Sequence, residues 1–117
     1  MWRDVAWLFD IVCAARKARE YVASMDLDGF LKSSLHQDAV LRQLEIIGEA
    51  TKRLSPETRD RYPSISWRRM AGLRDVLIHE YDRVDIELVW KIVQEELAPL
   101  IDAIEPTLPP PDESEEP

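Results

Sequence analysis

A group of residues that could bind phosphate and move protons lies within LRDVLIHEYDRVD, residues 73–85. Arg74 offers a planar, permanently charged guanidinium that matches phosphate oxygens, and His79 can transfer protons near neutral pH. On a helix, Asp75 and His79 share a face, so the carboxylate can accept a hydrogen bond from the imidazole and fix its tautomer. Tyr81 shares a face with Arg74. This combination suits metal-free cleavage of RNA, in which the 2′-OH attacks the neighbouring phosphorus.

That reaction benefits from two proton transfers, one from the attacking hydroxyl and one to the leaving oxygen, and from stabilisation of charge on phosphorus. His79 supplies one imidazole, and the position of the only other histidine, His36, gives no sign that it joins the site. A symmetric dimer would bring two Arg–His sets together, so we expect a dimer. The alternative is a structural role, because a histidine near a helix C-terminus favours the helix dipole.

Charge is distributed unevenly along the 117 residues. The net charge of -8 would by itself argue against nucleic acid as a partner. Residues 105–117 contribute five acids and no base, however, whereas residues 52–83 hold eight bases and five acids, a net charge of +3. The region around the candidate motif is therefore positive on an acidic protein, which is compatible with phosphate binding.

Several kinds of site have no signature in the sequence. It contains no Gly-rich phosphate loop, no Cys or His pair at metal-ligand spacing and no Ser/His/Asp set, so we expect neither a metal ion nor a cofactor. The single cysteine, Cys13, is interpreted as a small buried hydrophobe on the apolar face of the first helix. No apolar run approaches the ~18–20 residues that span a membrane, and the N-terminus is not typical of a signal peptide. We expect a cytoplasmic protein with no membrane partner.

Apolar residues recur at helical spacing along most of the chain, which favours an all-α fold. Ser55 and Asp85 are typical helix N-caps, and Pro99 should kink or break the last helix. Short connections favour an antiparallel bundle of four main helices with a short extra helix. The predicted elements are a domain at 1–104 with helices at about 2–24, 30–54 and 67–79, a short helix from Ser55-Pro56, a last helix from Asp85, and a disordered Pro-rich acidic tail at 105–117.

The second predicted helix carries a polar stripe at spacings of three and four residues: Asp38, Arg42, Glu45, Glu49 and Lys52. One interpretation is a solvated face with local ion pairs such as Asp38–Arg42. The other is a surface that faces a partner or a groove, in which Asp38, Arg42 and Glu49 would line the cleft.

Residues 74–81 fit the R-x4-H-x-Y pattern of HepT-like proteins, a branch of the HEPN superfamily. Two longer segments also resemble that family and are specific together: QDAVLRQLEIIGEATKRLS (37–55) and RYPSISWRRMAGLRDVLIHEYDRVD (61–85). With LVWKIVQEELAPL (88–100), the resemblance covers about residues 4–104.

The resemblance implies a helical homodimer with the motifs of both protomers in one cleft. It implies a metal-independent endoribonuclease, the toxin of a type VII toxin–antitoxin pair, acting on RNA such as tRNA or mRNA. Arg74 and His79 would be the catalytic pair and Asp75 the supporting polar residue. Tyr81 would be the residue that a minimal nucleotidyltransferase antitoxin modifies with AMP. The alternative is a non-catalytic helical binding subunit of that transferase.

Overall fold

The computed structural model describes residues 2–73, 75 and 84–110, with side chains from residue 4 onward. Its regular elements are all helical, and no strand occurs within these ranges, which confirms the predicted all-α class. The elements are, in order, α1 (Trp2–Tyr21), α2 (Leu27–Leu31), α3 (Ser34–Arg53), α4 (Pro56–Asp60), α5 (Trp67–Ala71), α6 (Ile86–Glu95), α7 (Leu97–Ile104) and a 3-10 turn (Glu105–Thr107).

The two longest helices, α1 and α3, form the main packing interface. Arg53, the last residue of α3, stacks over the ring of Trp7, which is near the start of α1. The start of α1 therefore lies beside the end of α3. The helices are therefore antiparallel. Each fully buried Val, Leu or Ile side chain contributes about 1.5–3 kcal/mol. The shared core includes Ile11, Val40, Leu44 and Ile47, with the smaller Ala15 and Ala18 between the helices.

Cys13 is exposed, so its interpretation as a buried hydrophobe is wrong. The buried face of α1 is centred on Ile11, Ala15 and Ala18. Cys13 stands about 200° around the helix from Ile11 and points away from the core. Both faces have apolar residues at helical spacing, and only packing against α3 distinguishes them.

The single helix predicted at 30–54 is two helices, α2 and α3. Ser33 adopts an extended backbone, and its side chain accepts a hydrogen bond from the N–H of His36, which makes it the N-cap of α3. The side chain of Gln37 donates to the carbonyl oxygens of Phe30 and Leu31 at 2.9 and 3.1 Å. These bonds satisfy the end of α2 and fix the bend. The first helix is also shorter than predicted and ends at Tyr21.

The C-terminal helices confirm two local predictions. Asp85 caps α6, since its side chain accepts from the N–H of Leu88. The chain turns at Glu96, between α6 and α7. Pro99 explains this break, because it lacks the N–H that would bond the carbonyl of Glu95 and its ring would clash there. None of the described helices is long and apolar enough to cross a membrane.

The first residues of the predicted tail, 105–110, belong to the described part of the chain. Thr107, in the 3-10 turn, lies 2.6 Å from the hydroxyl of Tyr62, and Leu108 packs against the core. The first residues of the predicted tail therefore lie against the helical domain.

Candidate functional site

Most of the R-x4-H-x-Y motif lies outside the described residues. This applies to both proposed catalytic residues, Arg74 and His79, and to Tyr81. Asp75 is described: its backbone is helical and its side chain is exposed. The described residues on either side, up to Leu73 and from Val84 onward, show how the two ends of the motif segment (residues 74–83) are anchored.

The segment that enters the motif is anchored to the core on its inner side. Met70 and Leu73 are 5% and 1% exposed, so the backbone is fixed immediately before Arg74. At the start of α5, the indole N–H of Trp67 donates to the carbonyl of Arg59 at 2.9 Å. A helix of five residues is not stable alone, so these contacts are what hold α5 in place.

The predicted continuous helix from about Trp67 to about His79 is interrupted. Gly72 is the C-cap of α5, and the backbone is helical again at Leu73 and Asp75. A short break at Gly72 therefore separates α5 from the helical positions Leu73 and Asp75.

The outer side of α5 is tied to the turn between α6 and α7. Arg69 donates from Nε and Nη2 to the two carboxylate oxygens of Glu96, at 2.6 and 2.8 Å. This two-pronged geometry fixes orientation as well as distance. The hydrogen bonds that Arg69 donates to Glu96 raise the pKa of Arg69 above its usual value.

The chain that leaves the motif is also anchored. Val84 is half-buried against the core, and Asp85 caps α6, whose Val89 and Ile92 are fully buried. Both ends of the motif segment are thus fixed to one helical core.

The polar stripe of α3 lies on the side away from the core. Asp38 and Arg42 are exposed, and Glu49 is half-buried. Arg42 pairs with Glu45 at 3.0 Å, not with Asp38 as the solvated-face interpretation suggested. Of the three residues predicted to line a cleft, Glu49 is the least exposed to solvent.

The second histidine, His36, has a structural contact at the start of α3, far from α5. His36 Nδ1 lies 2.6 Å from Ser33 Oγ, within the N-cap. Thr51, whose carbonyl accepts from Arg59 beside the start of α5, is about 22 Å further along the helix axis. Among the described residues, no group of three or more His, Cys, Asp or Glu side chains is placed to hold a metal ion.

One polar cluster, between the start of α1 and the start of α4, was missed by sequence reasoning. Asp4, 9% exposed, accepts hydrogen bonds from the hydroxyls of Ser55 and Thr58 at 2.6 and 2.5 Å. These bonds lower the pKa of Asp4. The capping role of Ser55 was visible in the sequence, but no signal indicated a partner 51 residues away.

Comparison with known proteins decides the family. The family model described as Ribonuclease HepT-like matches residues 11–107, a range that includes the whole motif. The chain belongs to the HepT-like ribonuclease family. The match begins within α1 and ends at the 3-10 turn, so it covers the helical body described above apart from residues 2–10.

Curated relatives belong to archaea and bacteria. A Methanocaldococcus jannaschii protein that bears a provisional RNase name is 41% identical over 96 residues, covering 81% of this chain and 88% of its own. A Thermococcus cleftensis protein named as a probable ribonuclease HepT is 40% identical over 94 residues, covering 80% and 86%. A Caldanaerobacter subterraneus protein, also provisionally named an RNase, is 38% identical over 81 residues, covering 69% and 72%. No solved structure matches the chain significantly.

Proposed function

We propose that this chain is the ribonuclease toxin of a type VII toxin–antitoxin pair and cleaves RNA without a metal ion. The observation that carries the proposal is the ribonuclease family match over residues 11–107, which contains the complete R-x4-H-x-Y motif. The RNase names of the relatives support the same substrate class.

In the proposed mechanism, the guanidinium of Arg74 binds the scissile phosphate and stabilises the charge that develops on phosphorus. A base removes the proton of the 2′-OH as its oxygen bonds to phosphorus. The bond from phosphorus to the leaving oxygen breaks, and that oxygen takes a proton from an acid. His79 of each protomer in a homodimer supplies these two groups. Asp75 orients the imidazole through a hydrogen bond.

The anchoring of the residues that precede the motif supports such a role. Arg74 follows the buried Leu73 directly, and the Arg69–Glu96 pair holds the preceding helix from outside. A positioned phosphate-binding side chain needs an anchored backbone, since small displacements cost large factors in rate.

Cleavage of total RNA by variants tests the assignment. We expect His79→Ala and Arg74→Ala each to lower the rate by about 10²–10⁴-fold, and EDTA to leave the wild-type rate unchanged. His36→Ala is the matched control, because it removes the other histidine from a helix cap, and it should keep near wild-type activity. Full activity in either motif variant would exclude these residues from catalysis.

Regulation is proposed to act through Tyr81. A minimal nucleotidyltransferase antitoxin would transfer AMP to the phenol, which places bulk and negative charge where an RNA phosphate binds. Tyr81→Phe should then cleave RNA but escape inhibition by the transferase and ATP. If the transferase silenced this variant fully, modification of Tyr81 would not be the mechanism.

A non-catalytic binding subunit of the transferase is the competing function. It would be supported by a purified protein that cleaves no RNA but binds the transferase stoichiometrically. Growth arrest on expressing this chain alone, relieved by the transferase, would support the toxin.

A further inference from the structure

Residues 52–73, which lead to the motif, are the most basic part of the chain. They carry a net charge of +4 on a protein whose total is -8. The six bases are Lys52, Arg53, Arg59, Arg61, Arg68 and Arg69, and the two acids are Glu57 and Asp60.

The structure separates these cations by what they contact. Arg59 is half-buried and donates to the carbonyl of Thr51 at 3.1 Å. Arg69 is paired with Glu96. Arg61 also has a partner of its own. The remaining three, Lys52, Arg53 and Arg68, are exposed, and within the described ranges none of them forms an ion pair.

These three cations border one junction. Arg59 bridges the end of α3 and the start of α5, because its side chain donates to Thr51 and its carbonyl accepts from Trp67. Lys52 and Arg53 follow Thr51 directly, and Arg68 follows Trp67. The topology therefore places all three next to the same contact.

Arg53 adds a planar surface to this junction. Its guanidinium carbon lies 5.1 Å from the ring centroid of Trp7, which is half-buried. Guanidinium planes and aromatic rings are the groups on which proteins stack unpaired RNA bases. Cations beside a stacking group form a pattern suited to a single strand.

We propose that Lys52, Arg53 and Arg68 form a binding surface for single-stranded RNA, the α3–α5 basic surface. Lys52 and Arg68 contact phosphates, and Arg53 contacts a phosphate or stacks on a base. Arg68 lies six residues before Arg74 in the sequence, and in this proposal the strand runs from the surface to the motif. The ligand class rests on the proposed function. The surface itself is distinct from the motif and extends the substrate contact beyond the scissile phosphate.

Binding can be measured without cleavage. The probe is a fluorescein-labelled single-stranded RNA with every 2′-OH methylated, which cannot undergo the 2′-OH attack. Anisotropy titrations across a range of KCl concentrations compare the wild type with the triple variant Lys52→Gln, Arg53→Gln, Arg68→Gln. We expect at least about tenfold weaker binding by the triple variant. The slope of log K against log[salt] should become less negative by about 1.4 to 2, since each phosphate contact on a single strand contributes about 0.7 and Arg53 contacts either a phosphate or a base.

A second triple variant controls for net charge. Lys17, Arg19 and Lys91 are exposed on α1 and α6 and form no ion pair in the described part of the chain. Changing all three to Gln removes the same charge and should alter RNA binding less than about threefold, with an unchanged salt slope. Helix content measured by circular dichroism checks that both variants fold. The single variants Lys52→Gln and Arg68→Gln keep the Arg53–Trp7 contact and should each show part of the loss.

The outcomes separate this inference from the proposed function. A wild type that binds the probe but cleaves no RNA would overturn the nuclease assignment and leave the surface testable. Equal losses in the two triple variants, or no loss in the first, would overturn the surface, as would a wild type that does not bind the probe. If the first variant bound RNA normally but lost a purified acidic protein partner, the surface would be a protein interface and the inference wrong.

Discussion

The segment from α4 to α5, which leads into the motif, is held at its two ends by different polar contacts. At its start, the carboxylate of Asp4 accepts hydrogen bonds from Ser55 and Thr58, and Asp4 is only 9% exposed. At its end, Arg69 pairs with Glu96, and these side chains are 44% and 25% exposed. Both contacts are short and charged, but the first is largely shielded from water and the second is more exposed.

Solvent access determines what each contact contributes. A charge-assisted hydrogen bond away from water contributes about 1.5–3 kcal/mol, and a donor left without its acceptor there adds a desolvation penalty. An exposed ion pair contributes about 0.2–1 kcal/mol, because water and salt compete for both charges. The Asp4 cluster (Asp4, Ser55 and Thr58) should therefore contribute strongly to the free energy of unfolding. The Arg69–Glu96 pair should contribute little to it and act mainly by orienting α5.

Removing the Asp4 carboxylate should produce the largest effect. We expect Asp4→Ala to lower the free energy of unfolding by about 2–4 kcal/mol, because the buried hydroxyl of Thr58 and the half-buried hydroxyl of Ser55 lose their charged acceptor. Urea denaturation followed by circular dichroism measures it. Asp10→Ala removes an exposed carboxylate from the same helix and should change stability by less than about 0.5 kcal/mol. Similar losses in both variants would show that the Asp4 cluster has no special weight.

The next largest effect should come from acid, which should weaken the hydrogen bonds that Asp4 accepts. The hydroxyls of Ser55 and Thr58 lower the pKa of Asp4 in the folded protein, so the unfolded chain takes up the proton first. Stability from this group is complete above the unfolded pKa of about 4 and is lost as pH falls through the lower folded value. Denaturation of the wild type and Asp4→Asn between about pH 5 and pH 2.5 isolates the effect, since all other carboxylates are shared.

We expect the two proteins to differ most in stability at the upper end of that range and to converge at the lower end. A difference that stays constant or grows as pH falls would contradict a lowered pKa at Asp4.

The same comparison shows what sequence reasoning can find. Ser55 and Asp85 were predictable as N-caps, and Pro99 as a helix breaker, because each acts on a backbone within four residues of itself. Asp4 and Glu96 were not, since their partners lie 51 and 27 residues away and only the packed fold brings them together.

Two other predictions, the single helix at 30–54 and the burial of Cys13, failed for a different reason. Apolar periodicity runs through Ser33 without a gap, so a helix cap within 30–54 was not apparent, although Ser33 and His36 form a local contact. Cys13 shares helical spacing with one apolar set and Ile11 with another, and only the position of α3 decides which set is buried. For the motif, residue types and spacing suggested a chemistry, the motif and the longer segments together indicated the family that the family model confirms, and the anchoring by Leu73 and Arg69 came from the structure.

Breaking the exposed contact should have the smallest effect on stability. We expect Arg69→Ala and Glu96→Gln each to lower the free energy of unfolding by less than about 1 kcal/mol. The double variant should show a coupling energy of about 0.5–1 kcal/mol, since the geometry is two-pronged and Glu96 is partly shielded. Thermal or urea denaturation of the two single variants and the double variant gives this cycle.

Salt then separates the two contacts directly. Raising NaCl from about 0.05 to 1 M shortens the screening length from more than 10 Å to about 3 Å, so the coupling between Arg69 and Glu96 should fall by at least half. The loss caused by Asp4→Ala should stay nearly constant, because salt does not reach a side chain that is only 9% exposed. If the Arg69–Glu96 coupling survived high salt unchanged, the pair would be shielded from solvent, and the distinction between the two ends of the segment would disappear. The exchange variant Arg69→Glu, Glu96→Arg should recover part of the coupling, because it restores opposite charges at the same two positions.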